Sequence, residues 1–179
     1  SSQCSEEYPF SLDGENRYCY RECPPGSHID SNNNIIRKYT CVTNCGNTKY
    51  LKESTNTCVE CKELEGFISI GNDRICYEKC PDSYPYFYYD LNAGKKPCIS
   101  KWEECDELSN QQFPNINEKD KSCVNDTICN TLRKFNHFCY DNCPEGTVNS
   151  TTNNNDNNCY CAYKYIEEGE DLICLNPGE

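Results

Sequence analysis

Cys19-Tyr-Arg-Glu-Cys23-Pro24 is a six-residue phrase that the chain writes twice more, as Cys76-Tyr-Glu-Lys-Cys80-Pro81 and as Cys139-Tyr-Asp-Asn-Cys143-Pro144. The phrase sits inside a longer period. Cys4, Cys19, Cys23 and Cys41 are separated by 14, 3 and 17 residues, and Cys61, Cys76, Cys80 and Cys98 repeat those intervals 57 positions later. Phe10, Gly14, Arg17, Tyr20 and Pro24 recur with the same shift as Phe67, Gly71, Arg74, Tyr77 and Pro81. Self-similarity at such a period marks an array of small like units.

Outward from these phrases, the 18 cysteines fall into three sets of six. They are Cys4, Cys19, Cys23, Cys41, Cys45 and Cys58; Cys61, Cys76, Cys80, Cys98, Cys105 and Cys123; and Cys129, Cys139, Cys143, Cys159, Cys161 and Cys174. In the third set the first interval shortens to 9 residues and the third to 15. The sets predict three tandem cysteine-rich modules, over residues 1–59, 60–126 and 127–179. The gap between Cys58 and Cys61 leaves no room for a flexible linker, so the modules are expected to stack end to end as a rod.

Cysteine at this density marks a disulfide scaffold in an oxidising compartment, since intracellular chains keep their thiols reduced. Zinc is the competing use of paired cysteines. Only Cys58 and Cys61 show the two-residue gap of a zinc knuckle, with no second pair and no placed histidine, so no metal or cofactor is expected. All 18 cysteines are expected to be bridged, with the three sets wired alike. The gap between fourth and fifth cysteines varies as 3, 6 and 1 residues, which speaks against a bridge there. The pairing favoured on these grounds is first to third, second to fourth and fifth to sixth, for example Cys4–Cys23, Cys19–Cys41 and Cys45–Cys58.

Little else is available for a core. Mean hydropathy is −0.90, and Asn32 to Asn34 and Asn153 to Asn158 read as solvated stretches. Reduced, a chain this polar would be largely disordered. The net charge of −12 argues against nucleic acid and anionic membrane as partners. No stretch approaches the roughly 18 apolar residues that span a bilayer, so no membrane insertion is expected. With no signal peptide and no Met, the sequence reads as a mature product or an ectodomain. Asn125-Asp-Thr127 and Asn149-Ser-Thr151 are glycan acceptor triplets in polar segments and fit a secretory route.

Helix signals are weak, the best being Lys101 to Leu108, where Trp102, Cys105 and Leu108 recur every third residue. Strand signals are short: Ile35 to Val42, Phe67 to Ile70, Tyr84 to Tyr89 and Tyr160 to Ile166, with turns at Asp13-Gly14 and Ala93-Gly94. The expected fold class is therefore small and disulfide-rich, built of short β-hairpins and loops with little helix.

Cys19-Tyr-Arg-Glu-Cys23-Pro-Pro-Gly26 and Cys139-Tyr-Asp-Asn-Cys143-Pro-Glu-Gly146 resemble the furin-like, growth-factor-receptor type of cysteine-rich repeat. The Asn-, Lys- and Tyr-rich composition is also similar to that of cysteine-rich surface proteins of unicellular eukaryotes. The resemblance implies an extracellular, non-enzymatic rod, and it transfers no ligand.

Few residues invite chemistry. His28 and His137 lie in polar segments without a nucleophile motif and are expected to be solvated. Asp30-Ser-Asn32-Asn-Asn34 opens like a calcium loop but meets Ile35 where Gly is required. Glu103, Glu104, Asp106 and Glu107, and Glu167, Glu168, Glu170 and Asp171, read as solvated acidic faces. Tyr84-Pro-Tyr86-Phe87-Tyr88-Tyr89 packs five aromatics into six residues. An extended strand would put Tyr84, Tyr86 and Tyr88 on one side, a face suited to protein contacts or to stacking on sugar rings, or else a cover for the module's own bridges.

Together these features predict an extracellular structural or adhesive protein of a cell surface, coat or filament, with no enzymatic activity. Its partners would be protein or glycan at a surface, or further copies of itself. A receptor or lectin-like ectodomain binding through the tyrosines, and a multi-module protease inhibitor, are the alternatives.

Overall fold

The computed structural model of the chain describes residues 4–15, 18–30, 39–62, 66–108, 113–149, 156–169 and 171–177. It is a small, disulfide-rich fold of short strands and loops with two short helices and nine bridges. Two compact units are present: residues up to Cys80 with Leu91–Pro97, and Pro81–Asp90 with Cys98 onward.

Bridges join cysteines that are neighbours in chain order. Cys4–Cys19, Cys23–Cys41, Cys45–Cys58, Cys61–Cys76, Cys105–Cys123, Cys129–Cys139, Cys143–Cys159 and Cys161–Cys174 are bonded. Cys80 and Cys98 are disulfide-bonded as well, and no cysteine is free. This corrects the expected Cys4–Cys23 and Cys19–Cys41 pairs and keeps Cys45–Cys58. The reason lies in the backbone: each interval closed by a bridge doubles back on itself.

In the first set, Phe10 of β1 (Phe10–Leu12) exchanges backbone hydrogen bonds of 3.1 and 2.8 Å with Tyr20, which returns Cys19 to Cys4. Next come β2 (His28–Asp30) with β3 (Tyr39–Val42), then β4 (Tyr50–Lys52), a 3-10 turn (Glu53–Thr55) and β5 (Thr57–Val59). The second set runs β6 (Phe67–Ile68), β7 (Cys76–Tyr77), β8 (Tyr86–Phe87), β9 (Cys98–Ile99), α1 (Glu103–Leu108), β10 (Asn115–Asn117) and β11 (Cys123–Val124). The third follows with α2 (Asp126–Cys129), β12 (Arg133–Phe135), β13 (Phe138–Tyr140), β14 (Thr147–Asn149), β15 (Cys159–Cys161), β16 (Tyr165–Glu168) and β17 (Asp171–Cys174).

One geometry recurs through these hairpins. Counted along the chain, every second cysteine from Cys41 onward stands on a returning strand, with Ile29 opposite Cys41, Leu51 opposite Cys58, Ile68 opposite Cys76 and Phe87 opposite Cys98. Ile116 likewise faces Cys123, Lys134 Cys139, Asn149 Cys159 and Tyr165 Cys174. The residue opposite the cysteine then turns its backbone outward. For six of these residues the N–H donates to the carbonyl two residues before the next returning cysteine. In the first unit these bonds are Ile29 to Asn56 (2.8 Å), Leu51 to Arg74 (2.8 Å) and Ile68 to Lys96 (3.0 Å). In the second they are Phe87 to Lys121 (3.1 Å), Ile116 to His137 (2.9 Å) and Lys134 to Asn157 (2.9 Å). In these six hairpins, backbone groups that a two- or three-residue strand would leave bare are satisfied.

The strand expectations hold in place and shrink in length. Tyr39–Val42 lies in the predicted Ile35 to Val42, whose first residues are outside those described; Phe67–Ile68 and Tyr86–Phe87 are two-residue remnants of longer predictions. Tyr160 to Ile166 is two strands rather than one, broken by a bend at Ala162 and Tyr163. Helix α1 begins after Trp102, and of the predicted stripe Cys105 is buried while Leu108 is exposed.

Half-cystines make the cores. One apolar cluster packs Tyr50 and Ile68 on the Cys61–Cys76 bridge. In the second unit Ile99 and Ile116 surround Cys105–Cys123, with Trp102, Phe113 and Phe138 against them, and Val124 covers Cys129–Cys139.

Candidate functional site

The tyrosine-rich segment divides between inside and outside. Phe87 is buried at 6% exposure. Tyr86 and Tyr88 are half-buried against Ile99, Cys105, Ile116 and Cys123, and the Tyr86 ring lies 5.9 Å from that of Phe138. Burial, with Asp90 nearby, raises the Tyr88 hydroxyl above its usual pKa. Tyr84 and Tyr89 are exposed, at 47% and 39%. Because β8 is only two residues long, the chain turns before alternation can place Tyr84, Tyr86 and Tyr88 on one open face. The middle of the segment covers the unit's own core, while Tyr84 stays exposed and Tyr89, also exposed, sets its ring edge-on to Phe87 at 5.5 Å.

Both candidate glycan acceptors have defined settings. Asn149 is exposed on β14 opposite Cys159, its Oδ1 3.0 Å from Cys143 Sγ, on the rim of a cleft of about 590 Å³ that Arg133, Asp141 and Thr147 also line. The rest of its triplet lies outside the described residues. Asn125 caps α2, its Oδ1 accepting from Ile128 N–H at 2.9 Å. That bond uses the oxygen, and the nitrogen on which a glycan would be built is not part of it.

The histidines are not simply solvated, as expected from their polar neighbours. His28 Nδ1 is 2.7 Å from Asn56 Oδ1, and the half-buried His137 ring stacks on Trp102 with centroids 3.4 Å apart. Asp30, which opened the calcium-like phrase, pairs with the buried Lys49; residues 31–38 are outside those described. No grouping of three or more His, Cys, Asp or Glu suited to a metal is found among the described residues. Within the first acidic cluster, Glu104 accepts from Ser100 Oγ. Near β15, Asp156 is held below the usual carboxylate range by the Tyr160 hydroxyl, which donates at 2.6 Å, and by Asn158 N–H.

An apolar surface on the last hairpin was not singled out from sequence. Tyr163, Tyr165, Ile166, Leu172 and Ile173 are 62%, 54%, 51%, 36% and 39% exposed, on and beside β16 and β17. The neighbouring Glu167, Glu168, Glu170 and Asp171 drew the reading of a solvated face, and along β16 that reading masked Tyr165 and Ile166 between the charges. In the register Ile166 lies opposite Ile173 and Glu167 opposite Leu172, so apolar side chains stand on both faces. An exposed cluster of this kind is the usual mark of a contact surface.

Compared with known proteins, the chain matches no family, no curated sequence and no solved structure.

Proposed function

We propose that the chain is a non-enzymatic structural and adhesive element of a cell surface, coat or extracellular filament. The nine bridges fit an extracellular, disulfide-rich protein, and among the described residues no helix is long and apolar enough to cross a membrane. The observation that carries the reading is the exposed hairpin of Tyr165, Ile166, Leu172 and Ile173, anchored at its base by Cys161–Cys174. Such a surface is held in shape by covalent bonds and left open to another molecule. Tyr84 and Tyr89 add a smaller aromatic contact, and Asn149 is the favoured glycan acceptor. Immunogold electron microscopy of the cells that make the protein is the test. Label on the outer surface, coat or shed filaments is expected, and label confined to the cytosol would overturn the reading.

A further inference from the structure

Among the described residues, eight hairpins carry on their first strand the outward N–H of the residue opposite the returning cysteine, and in six of them that N–H donates to the carbonyl two residues before the next returning cysteine. In the last described hairpin that residue is Tyr165, opposite Cys174. Leu175 N–H donates to Lys164 O at 2.9 Å, which sets the phase of the ladder. Lys164, Ile166 and Glu168 turn their backbone toward β17, and Tyr165 and Glu167 turn theirs away. The outer edge of β17 is closed by the Asn136 side chain, which accepts from Leu172 N–H at 3.1 Å and donates to Leu172 O at 3.3 Å. Among the described residues nothing does the same for β16, and all four of its residues are exposed. A bare strand edge flanked by apolar side chains recruits another strand.

The order of charges along β16 selects the occupant. We propose that β16 pairs antiparallel with β16 of a second copy of this chain, about a two-fold axis that passes between the two Ile166 residues. Opposed residues in an antiparallel pair turn their backbones the same way, so a symmetric pairing is centred on a residue. Centring on Lys164 opposes two lysines, and centring on Glu167 or Glu168 opposes two glutamates. Centring on Tyr165 sets Lys164 against an isoleucine. Centring on Ile166 sets Lys164 of each copy against Glu168 of the other, and Tyr165 of each against Glu167 of the other as hydrogen-bonded pairs. The outward N–H and C=O groups of Tyr165 and Glu167 are then filled in both copies. Ile166 meets its own copy in the closer, non-hydrogen-bonded position, and Ile173 extends the row on either side. The product is a four-stranded sheet, past the size at which a lone hairpin is marginal.

This pairing rests on the reading of the chain as an interaction protein. Sedimentation equilibrium of the oxidised chain, alone and as Lys164→Glu, Glu168→Lys, the double exchange, and Glu167→Pro, tests it. A monomer–dimer equilibrium is expected for the unaltered chain. Either single reversal turns both cross-copy pairs into like charges and should weaken dimerisation roughly tenfold, while the double exchange should restore it to within about threefold. Glu168→Lys also relieves the opposition of Glu168 and Asp171 within the hairpin, so its loss of dimer does not come from a loosened strand. Proline at 167 removes an outward N–H, leaves the hairpin's own ladder whole, and should abolish the dimer with the disulfide map unchanged. A chain that stays monomeric at all concentrations, a double exchange as weak as the singles, or growth into open-ended oligomers would each overturn the pairing. A monomer that still labels the cell surface defeats the pairing alone; a dimer with a cytosolic label defeats the surface role alone.

Discussion

Asn125 begins α2 and also begins an acceptor triplet, and its two roles use different atoms: Oδ1 holds the Ile128 N–H at 2.9 Å. Asn125→Ala should lower stability by about 1 kcal/mol in thermal melts of unglycosylated protein, whereas Asn125→Asp should keep the cap and lose only the acceptor. Equal melting of both variants would show that the cap contributes nothing. One residue on, the Asn115 amide donates to Asp126 Oδ1 at 2.9 Å and the Lys134 ammonium lies 3.5 Å away, which hold the Asp126 carboxyl below its usual range against the opposing effect of partial burial. A carboxyl depressed in the folded state stabilises above its unfolded pKa of about 3.9 and loses that contribution as pH falls through the folded value. Asn115→Leu should therefore raise the Asp126 pKa toward the ordinary value in a carboxyl-detected NMR titration, and flatten the acid limb of the stability curve. An unmoved Asp126 titration would count against the hydrogen bond as the cause.

At the scale of the element, a hairpin two or three residues long has no room for error. Gly66 enters β6 with φ +154°, and a Cβ placed there would stand 2.3 Å from Tyr77 O, a backbone atom that cannot move aside. At Gly71, beyond the same strand, a Cβ would meet nothing within 4 Å, although its φ of +106° also disfavours other residues. Gly66→Ala should cost about 1–3 kcal/mol, and clearly more than Gly71→Ala, because it adds a clash to the backbone strain. Guanidinium unfolding of the two variants side by side gives the comparison, and equal midpoints would refute the close approach.

For the whole molecule, eleven of the seventeen buried apolar residues among those described are half-cystines, and only Tyr50, Ile68, Phe87, Ile99, Ile116 and Val124 are not. Six such side chains contribute about 1.5–3 kcal/mol each. Closing a loop of about fifteen residues contributes about 3 kcal/mol on a chain-entropy argument, and most bridges here close loops near that size. Full reduction should abolish the cooperative transition in circular dichroism at neutral pH. A reduced chain that still melts cooperatively would mean that apolar packing by itself suffices.

The sequence by itself determined the number and grouping of the bridges, the short hairpin class and the polar surface, because cysteine spacing, turn residues and composition act locally along the chain. It also located α1 and the strands β3, β6, β8, β15 and β16, since β-rich runs between turns are legible without a partner, whereas the remaining strands, mostly of two or three residues, carry too little pattern to read. Which cysteine joins which was decided by the tertiary structure: Phe10 bonds back to Tyr20 and Phe67 pairs with Tyr77, so each first cysteine meets its second before the third can be reached. Spacing alone cannot see a hydrogen-bond register. The facing of the aromatics belongs to the same level, because Tyr86 and Tyr88 turn inward toward Ile99 and Ile116 while Tyr165 and Ile166 stay outside. All four stand in β-rich runs of similar polarity, and only the packing of Tyr86 and Tyr88 against a core that the sequence pattern does not show separates covered from open.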